Sequence, residues 1–545
     1  MTGSNEDSAL LGGIYNSKKK TRTFTWRLLL EVGLVVAIVL AFLCPWKPAT
    51  GGATSPKVDV NKKKNVIFLV TDGMGPQSVG LARSFRQFRD GLPIDDILTI
   101  DKHFIGTSRT RSNNSFVTDS AAGATAFACG LKSYNGAIGV DPEKNPCGTI
   151  LEALKLQGYM TGLVVTTRLT DATPACFSAH VDYRYQEDMI AQQQIGEYPL
   201  GRMVDLMIGG GGCHYNGNCR ADGRNLVKEY SDTWNHVSTR EEFDLLNEGH
   251  NVTLPLLALL SDGELPYEID RSPKHFPSLA EEAKVALNAL AEATKDSDKG
   301  FFLMIESSHI DFFGHQNDPA GQAREVLHYD TVFQEVMKFI DSTDVETVAI
   351  STSDHETGGL ALSRQVSPAY PDYLWYPEVL LNSTHSGEFL AHLLFDYYQS
   401  QSSDDTPALT SYITKQVVEN LMGITDWTQT DIDRIMTNIM NVNELMYVLN
   451  DMISVRAQLG WSTHGHSAID VNIYAYTNSP AIEEQLKHNG AYDGLSGNHE
   501  NIEIGRFMES LTGVNLDHVS LLLKKTNHKP EVVKSDFNVN SYHVY

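Results

Sequence analysis

Acidic and histidine residues recur along this chain in short groups whose spacing suits metal and phosphate chemistry. Asp311 and His315 stand four apart, which puts both on one face if the segment is helical and lets them share a metal ion. Asp354 and His355 are adjacent after the strand-like run Val345 to Ser351; inside a strand they would point apart, so they act together only from its terminal turn. His466, in Thr463-His-Gly-His-Ser-Ala, supplies another imidazole, and mixed carboxylate and imidazole sets suit zinc. Asp171 and Thr173, in Asp171-Ala-Thr-Pro, together with Glu306, offer only oxygen, the donor that Mg²⁺ prefers.

Two further residues belong with these. Ser120 follows Asp119 and precedes the small-residue run Ala121 to Ala128, which can start a helix, so its oxygen faces the positive end of the helix dipole, where a bound phosphate is favoured. Arg184 is a candidate phosphate clamp, because a guanidinium fork binds two oxygens at once. Singly, each has an ordinary reading: Asp-Ser before an alanine run is a helix cap, an Asp at a strand end forms a turn, Asp-His is a surface pair, a lone Arg is solvated. Falling together at successive strand ends, they read as one site.

The elements that must carry them alternate. Asn65 to Thr71 is a buried-type strand that delivers Asp72-Gly-Met-Gly at its carboxyl end, where ligands sit in α/β sheets. No Gly-x-Gly-x-x-Gly is completed, since position 78 is Ser78, and Gly209 to Gly212 after Leu206-Met-Ile is a strand-end turn without a P-loop Lys. Further strands are predicted at Met160 to Thr166, Phe301 to Ile305, Val345 to Ser351 and Asp470 to Tyr476. One helix starts at the capping box Ser278-Leu-Ala-Glu281 and another carries Phe333, Val336, Met337 and Ile340. This alternation predicts an α/β fold with a largely parallel central sheet and helices on both faces. Between Thr357 and Trp461 the pattern loosens around the polar run Gln399 to Thr406, which reads as an inserted subdomain.

The chain has 545 residues and a formal net charge of -25, which argues against nucleic-acid binding and makes an anionic substrate awkward unless bound cations or a placed Arg reverse the local field. Leu28 to Cys44 is an apolar run of about 17 residues, interrupted by Glu31 and flanked by Trp26 and Trp46, and reads as a membrane anchor. A cleaved signal peptide is the alternative, but the long polar start is atypical for one. Lysines and arginines flank the run on both sides, so the charge rule does not orient it. The sequons at Asn113, Asn251 and Asn382, and a short loop between Cys213 and Cys219 that a disulfide could close, favour a lumenal main domain. Glu6-Asp-Ser-Ala-Leu10-Leu11 matches an acidic dileucine pattern read by cytosolic sorting adaptors. The expected organisation is a cytosolic tail (1–27), an anchor (28–44), a Pro/Gly/Lys-rich linker (45–64), a catalytic domain (65–513, with the insertion at about 357–461) and a C-terminal tail (514–545).

Asp72-Gly-Met-Gly, Asp119-Ser120-Ala, Asp171-Ala-Thr-Pro-Ala with Ala179-His180-Val and Arg184, Glu306 to His315, Asp354-His355-Glu-Thr-Gly-Gly and His464-Gly-His466-Ser together resemble the alkaline phosphatase family, from about Asn65 to about Gly513. With the single anchor and the dileucine tail, the chain looks like the vacuolar members of fungi. The resemblance implies one Zn²⁺ on Asp311, His315 and His466, a second on Asp72, Asp354 and His355 with Ser120, and one Mg²⁺ on Asp72, Asp171, Thr173 and Glu306. His464 is a ligand by type, but His466 precedes Ser-Ala and fits the family pattern better. It further implies hydrolysis of phosphate monoesters through a phosphoserine on Ser120, broad specificity for the alcohol, a crown-like insertion, a homodimer, and a single-pass type II protein of the vacuole membrane. Phe312, where bacterial members have Lys and animal members His, and Ser307, in place of a usual Gly, depart from the pattern. Rival readings are a phosphodiesterase or sulfatase of the same superfamily, or a membrane-anchored binding protein; Ser120-Ala-Ala-Gly-Ala lacks the C/S-x-P-x-R context of sulfatases, and no ligand or nucleophile is missing.

Overall fold

A computed structural model describes residues 57–526 apart from 198, 372 and 401–405. The expected cytosolic tail, dileucine pattern and anchor, and most of the linker, lie outside the described residues. No helix among the described residues is long and apolar enough to cross a membrane.

Strand β1 (Lys64–Thr71) sits near the middle of a ten-stranded sheet. Its apolar residues alternate between the two sides: Val66, Phe68 and Val70 enter one core, Ile67 and Leu69 the other, all 0% exposed. Fully burying such side chains stabilises the fold by roughly 1.5–3 kcal/mol each, which explains why this run is apolar throughout rather than alternating with polar residues. The other strands are β2 (Phe104–Arg109), β3 (Met160–Arg168), β4 (Leu206–Gly210), β5 (Asn235–Val237), β6 (Leu256–Leu259), β7 (Phe301–Ser307), β8 (Glu346–Thr352), β11 (Val471–Thr477) and β12 (Gly497–Glu500), in the order β12-β2-β11-β8-β1-β7-β3-β4-β6-β5. Two short strands, β9 (Glu356–Thr357) and β10 (His466–Ser467), pair separately. The sheet is parallel from β8 to β5, as expected, but β11 runs antiparallel to both β8 and β2.

The helices are named in chain order as α1 (Pro76–Arg89), α2 (Ser120–Cys129), α3 (Ala172–Ser178), α4 (Leu279–Ala293), α5 (His309–Gln316), α6 (Pro319–Ser342), α7 (Gly387–Ser400), α8 (Val442–Ala457), α9 (Asn501–Thr512) and α10 (Leu516–Lys525). Helices α4 and α6 cover one face of the sheet and α2, α9 and α10 the other. The capping box predicted at Ser278 and Glu281 is formed at the start of α4. Residues of α7, α8 and the segments between them build a core of their own, with Leu390, Leu394, Ile413, Val417, Leu445 and Leu449 buried, closed by Leu81 and Phe85 of α1.

Two expected boundaries shift. The tail after Gly513 begins with α10, whose Leu516, Val519 and Leu523 join the core beside α9, so the folded domain runs past residue 513. The end of the expected linker is already tied down: Lys64 opens β1 with its ammonium donating to the carbonyls of Asp59 and Lys62, and Lys62 pairs with Glu346 at 2.9 Å. Disulfides join Cys129 to Cys147 and Cys213 to Cys219, and Cys176 is a buried free thiol.

Candidate active site

Most of the candidate residues lie where a strand ends or a helix begins; Arg184 is in the turn after Ala179, and His466 opens β10. Asp72 follows β1, Glu306 is on β7, Asp354 and His355 follow β8, Asp171 caps α3 and Thr173 is in it, Ser120 is the first residue of α2, and Asp311 and His315 are on α5. In-register pairing of β7 with β1 sets Glu306 beside Val70, next to the turn that carries Asp72. Asp119 caps α2, accepting the Ala122 amide at 2.9 Å, so Ser120 projects from the first turn as its sequence context predicts.

Two trios result, each with ligand-type atoms within metal-binding reach of one another: Asp72, Asp354 and His355, and Asp311, His315 and His466. In the first, His355 Nε2 lies 3.2 Å from Asp354 Oδ2 and 3.6 Å from Asp72 Oδ1. In the second, His315 Nε2 is 3.2 Å from Asp311 Oδ2 and 3.2 Å from His466 Nε2. Ser120 Oγ lies 3.2 Å from His355 Nε2. The trios adjoin because Gly73 separates Asp72 from its neighbour without a side chain: φ is +77°, and a Cβ there would come within 2.5 Å of Asp311 Cα. His464 stays outside both trios, with its ring against Tyr447 and Nδ1 2.8 Å from the His315 carbonyl.

Backbone carbonyls fix the imidazoles. His466 Nδ1 donates to Thr118 O at 2.8 Å and His315 Nδ1 donates to His464 O, and since a carbonyl only accepts, both protons sit on Nδ1 and both Nε2 lone pairs face the trio. Thr357 bridges the trios, donating to Asp311 and lying 3.2 Å from His355 Nδ1.

The electrostatics call for cations. Burial, and then the charges of Asp354, Asp311 and Glu306, push Asp72 well above the usual carboxylate range. Burial and Asp311 raise Asp354 to about 7, and burial with Asp171 and Asp354 raises Glu306 well above its ordinary value. Burial also pushes Asp311 up, but its histidine neighbours outweigh this and hold it well below the usual range. Burial drives His355 and His466 toward the neutral, ligating form. Asp72 Oδ1, Asp354 Oδ2, Thr173 Oγ1 and Glu306 Oε2 are buried without a hydrogen-bond partner. Several acids packed together with unpartnered oxygens are costly unless a divalent cation takes the place of their protons, so the donor set fits metal ions.

Arg184 is held from behind. Asp171 Oδ1 accepts from its Nη2 at 3.1 Å and Asp119 Oδ2 lies 3.5 Å from Nη1, while its backbone amide donates to Gly136 O, whose own amide donates to Asp119. Burial pushes Asp171 up, yet Arg168 and Arg184 together bring it below its ordinary value. The sequence reads Asp119 with Ser120 only as a helix cap, without its contact to Arg184, and assigns no role to Thr357 or Arg168.

A family model described as "Alkaline phosphatase" matches residues 63–514. The chain is 53% identical to the "Repressible alkaline phosphatase" of Saccharomyces cerevisiae over 95% of its length and 93% of that protein, and 42% identical to an "Alkaline phosphatase" of Schizosaccharomyces pombe over 94% of each. Among solved structures, the alkaline phosphatase of Thermus thermophilus superposes with a TM-score of 0.68 at 25% identity, covering 88% of this chain and 99% of that one. A cold-active counterpart from Shewanella sp. gives 0.67 at 27% identity, over 82% and 99%.

Proposed function

The chain belongs to the alkaline phosphatase family and is a metal-dependent phosphoric monoester hydrolase, and from that premise we propose that Ser120 is its nucleophile and Arg184 its phosphate clamp. The observation that carries the reading is the placement of Ser120 Oγ at the first turn of α2, 3.2 Å from Nε2 of His355, a member of the first trio whose ring stacks on His466 of the second.

Asp311, His315 and His466 would hold one Zn²⁺, Asp72, Asp354 and His355 with Ser120 a second, and Asp72, Asp171, Thr173 and Glu306 one Mg²⁺, the oxygen-only set going to the harder ion. When bound, these ions supply positive charge against the serine oxygen, the phosphoryl oxygens and the departing alcohol oxygen. The chain's own groups do the rest. Ser120 Oγ, giving up its proton, attacks phosphorus as the P–O bond to the alcohol breaks, so the alcohol leaves protonated and a phosphoserine remains; water then attacks that phosphorus from the vacated side, the P–O bond to Ser120 breaks, and inorganic phosphate and the serine hydroxyl are released. The Arg184 fork binds two non-bridging oxygens through both steps, with Asp119 and Asp171 fixing its direction. Contacts made to the phosphoryl group alone leave the alcohol unrestricted, hence broad specificity.

Phosphate release from a simple aryl phosphate, with and without a chelator, tests this directly. Full turnover by a Ser120→Ala variant would overturn the nucleophile assignment, and activity untouched by exhaustive chelation would overturn the metal sites.

The proposal extends to the cell: a type II protein anchored in the vacuole membrane by residues 28–44, with Leu10-Leu11 facing cytosolic sorting adaptors, the catalytic domain lumenal and dimeric, and no nucleic-acid partner. Two disulfides and the exposure of Asn113, Asn251 and Asn382 support the oxidising, glycosylating side of the membrane.

A further inference from the structure

Behind the proposed clamp lies a line of alternating charges, of which the mechanism above uses only Arg184 and Asp171. Asp171 stands between two guanidinium groups and offers one oxygen to each: Oδ1 accepts from Arg184 at 3.1 Å, and Oδ2 lies 3.8 Å from Arg168 Nη2. Arg168 turns its other nitrogens to two more acids, Nε to Glu187 Oε2 at 2.8 Å and Nη1 to Glu264. Glu187 also accepts from Thr170 Oγ1 at 2.6 Å and lies 3.2 Å from His214 Nε2, whose Nδ1 is 3.0 Å from Asp188. His214 sits inside the loop closed by Cys213 and Cys219.

The fold makes room for this arrangement. Arg168 is the last residue of β3, displaced by a register shift against β4, and Gly211 with φ +86° lets the chain pass where a Cβ would come within 2.9 Å of Arg168 Cβ. The glycine run Gly209 to Gly212, which carries no nucleotide-binding signature, thus seats an arginine.

We propose that Arg168 is a positioning residue for the phosphate clamp, sharing Asp171 with Arg184 so that Asp171 orients the Arg184 fork without neutralising it. The proposal rests on the assignment of Arg184 above. Its physics is competition for one carboxylate. With Arg168 present, the charge that Asp171 does not give to the Mg²⁺ it would help hold is divided between two guanidinium groups, and Arg184 keeps attraction to spare for phosphoryl oxygens. Without it, Arg184 is the one guanidinium paired with Asp171, and Asp171 competes more strongly with phosphate for the same nitrogens. Glu264 sets the balance from the other side, since it draws Arg168 away from Asp171.

The two substitutions therefore act in opposite directions on one measurable quantity, inhibition of the metal-loaded enzyme by inorganic phosphate. Arg168→Gln should raise the phosphate inhibition constant and the KM by about tenfold with kcat within about twofold, and Glu264→Gln should lower the inhibition constant by about threefold. Arg168→Lys, which keeps the charge but cannot face three acids at once, should recover only part of the loss. A purely structural ion-pair cluster would instead lower the melting temperature in all three variants and leave phosphate inhibition unmoved. The proposal is overturned by an inhibition constant within twofold of wild type in Arg168→Gln, by a rise in Glu264→Gln, or by full recovery in Arg168→Lys. An Arg184→Ala variant separates the possible failures: unchanged phosphate inhibition there removes the clamp assignment and this proposal with it, whereas a raised constant there beside an unmoved Arg168→Gln removes only the role of Arg168.

Discussion

The imidazoles of His355 and His466 lie face to face, centroids 3.5 Å apart and planes 20° apart, although each belongs to a different trio. Such stacking is tolerable only if neither ring is charged, and burial keeps both below their ordinary pKa. The shared wall couples the two sites. Elemental analysis of the wild type should give about two zinc and one magnesium per chain, and His466→Gln should retain at most about one zinc. A His466→Gln protein that still holds two would remove His466 from the ligand set.

Gly73→Ala should separate the trios. The new Cβ, 2.5 Å from Asp311 Cα at a φ of +77°, meets backbone that cannot swing aside. A loss of about 2–4 kcal/mol is expected, from the left-handed conformation and the overlap together, with reduced zinc content. Denaturant melts and metal analysis check it; a variant with wild-type stability and full zinc would show that the close approach is not needed.

Glu325 links stability to pH. It is buried on α6, accepts the Glu268 amide at 2.7 Å, lies 3.8 Å from His309 Nδ1, and is pushed up to about 8, chiefly by burial. The folded state therefore holds a proton that the unfolded state has already lost, between the ordinary carboxyl value of 4.5 and about 8. Its contribution is present below the lower value and is lost as pH rises through the upper one. Glu325→Gln, which stays neutral, should flatten this decline and be more stable than wild type at pH 8 relative to pH 5 by about 1–3 kcal/mol. Parallel melting curves of the two proteins across that range would contradict it.

Truncation after Gly513 should be damaging, contrary to what a disposable tail would show. Leu516, Val519 and Leu523 are each at most 2% exposed. Their loss removes burial worth on the order of 3–6 kcal/mol and uncovers the apolar face of α9. Guanidinium melts of the truncated domain give the answer, and an unchanged midpoint would mean that α10 contributes nothing.

The membrane arrangement has its own test. Protease added to intact vesicles should clip only the tail before Leu28, and Leu10→Ala with Leu11→Ala should missort the protein. Digestion of the large domain, or unchanged sorting, would reject the respective half of that reading.

Much of this organisation is legible in the sequence where burial leaves an unbroken apolar run. Val66 to Val70, Phe301 to Ile305 and Ala349 to Ile350 have both faces covered, and their strands appear within a residue or two of expectation. Strand β2 was not readable because Phe104 is half exposed and its partners come from far along the chain. Helix α10 was readable in principle from the cap Asn515 and the spacing of Leu516, Val519 and Leu523, but the family resemblance ends before it. The spacing of Asp311 and His315 foretold one face of a helix, and α5 supplies it. The partners of Arg168 could not be foreseen, since Glu187 and Glu264 meet it only through the packing of separate elements.

The central position of β1 has a consequence for the order of events during synthesis. Gly73 donates to Asp354 across 281 residues, and β1 pairs only with β7 and β8. At roughly 5–20 residues per second, an emerging chain waits on the order of tens of seconds between presenting Asp72 and presenting His355, and longer before His466 arrives. The Asp72, Asp354 and His355 trio cannot form before residue 355 has been delivered, and the Asp311, His315 and His466 trio not before residue 466, so the two sites are completed in sequence and the second only when most of the domain is present.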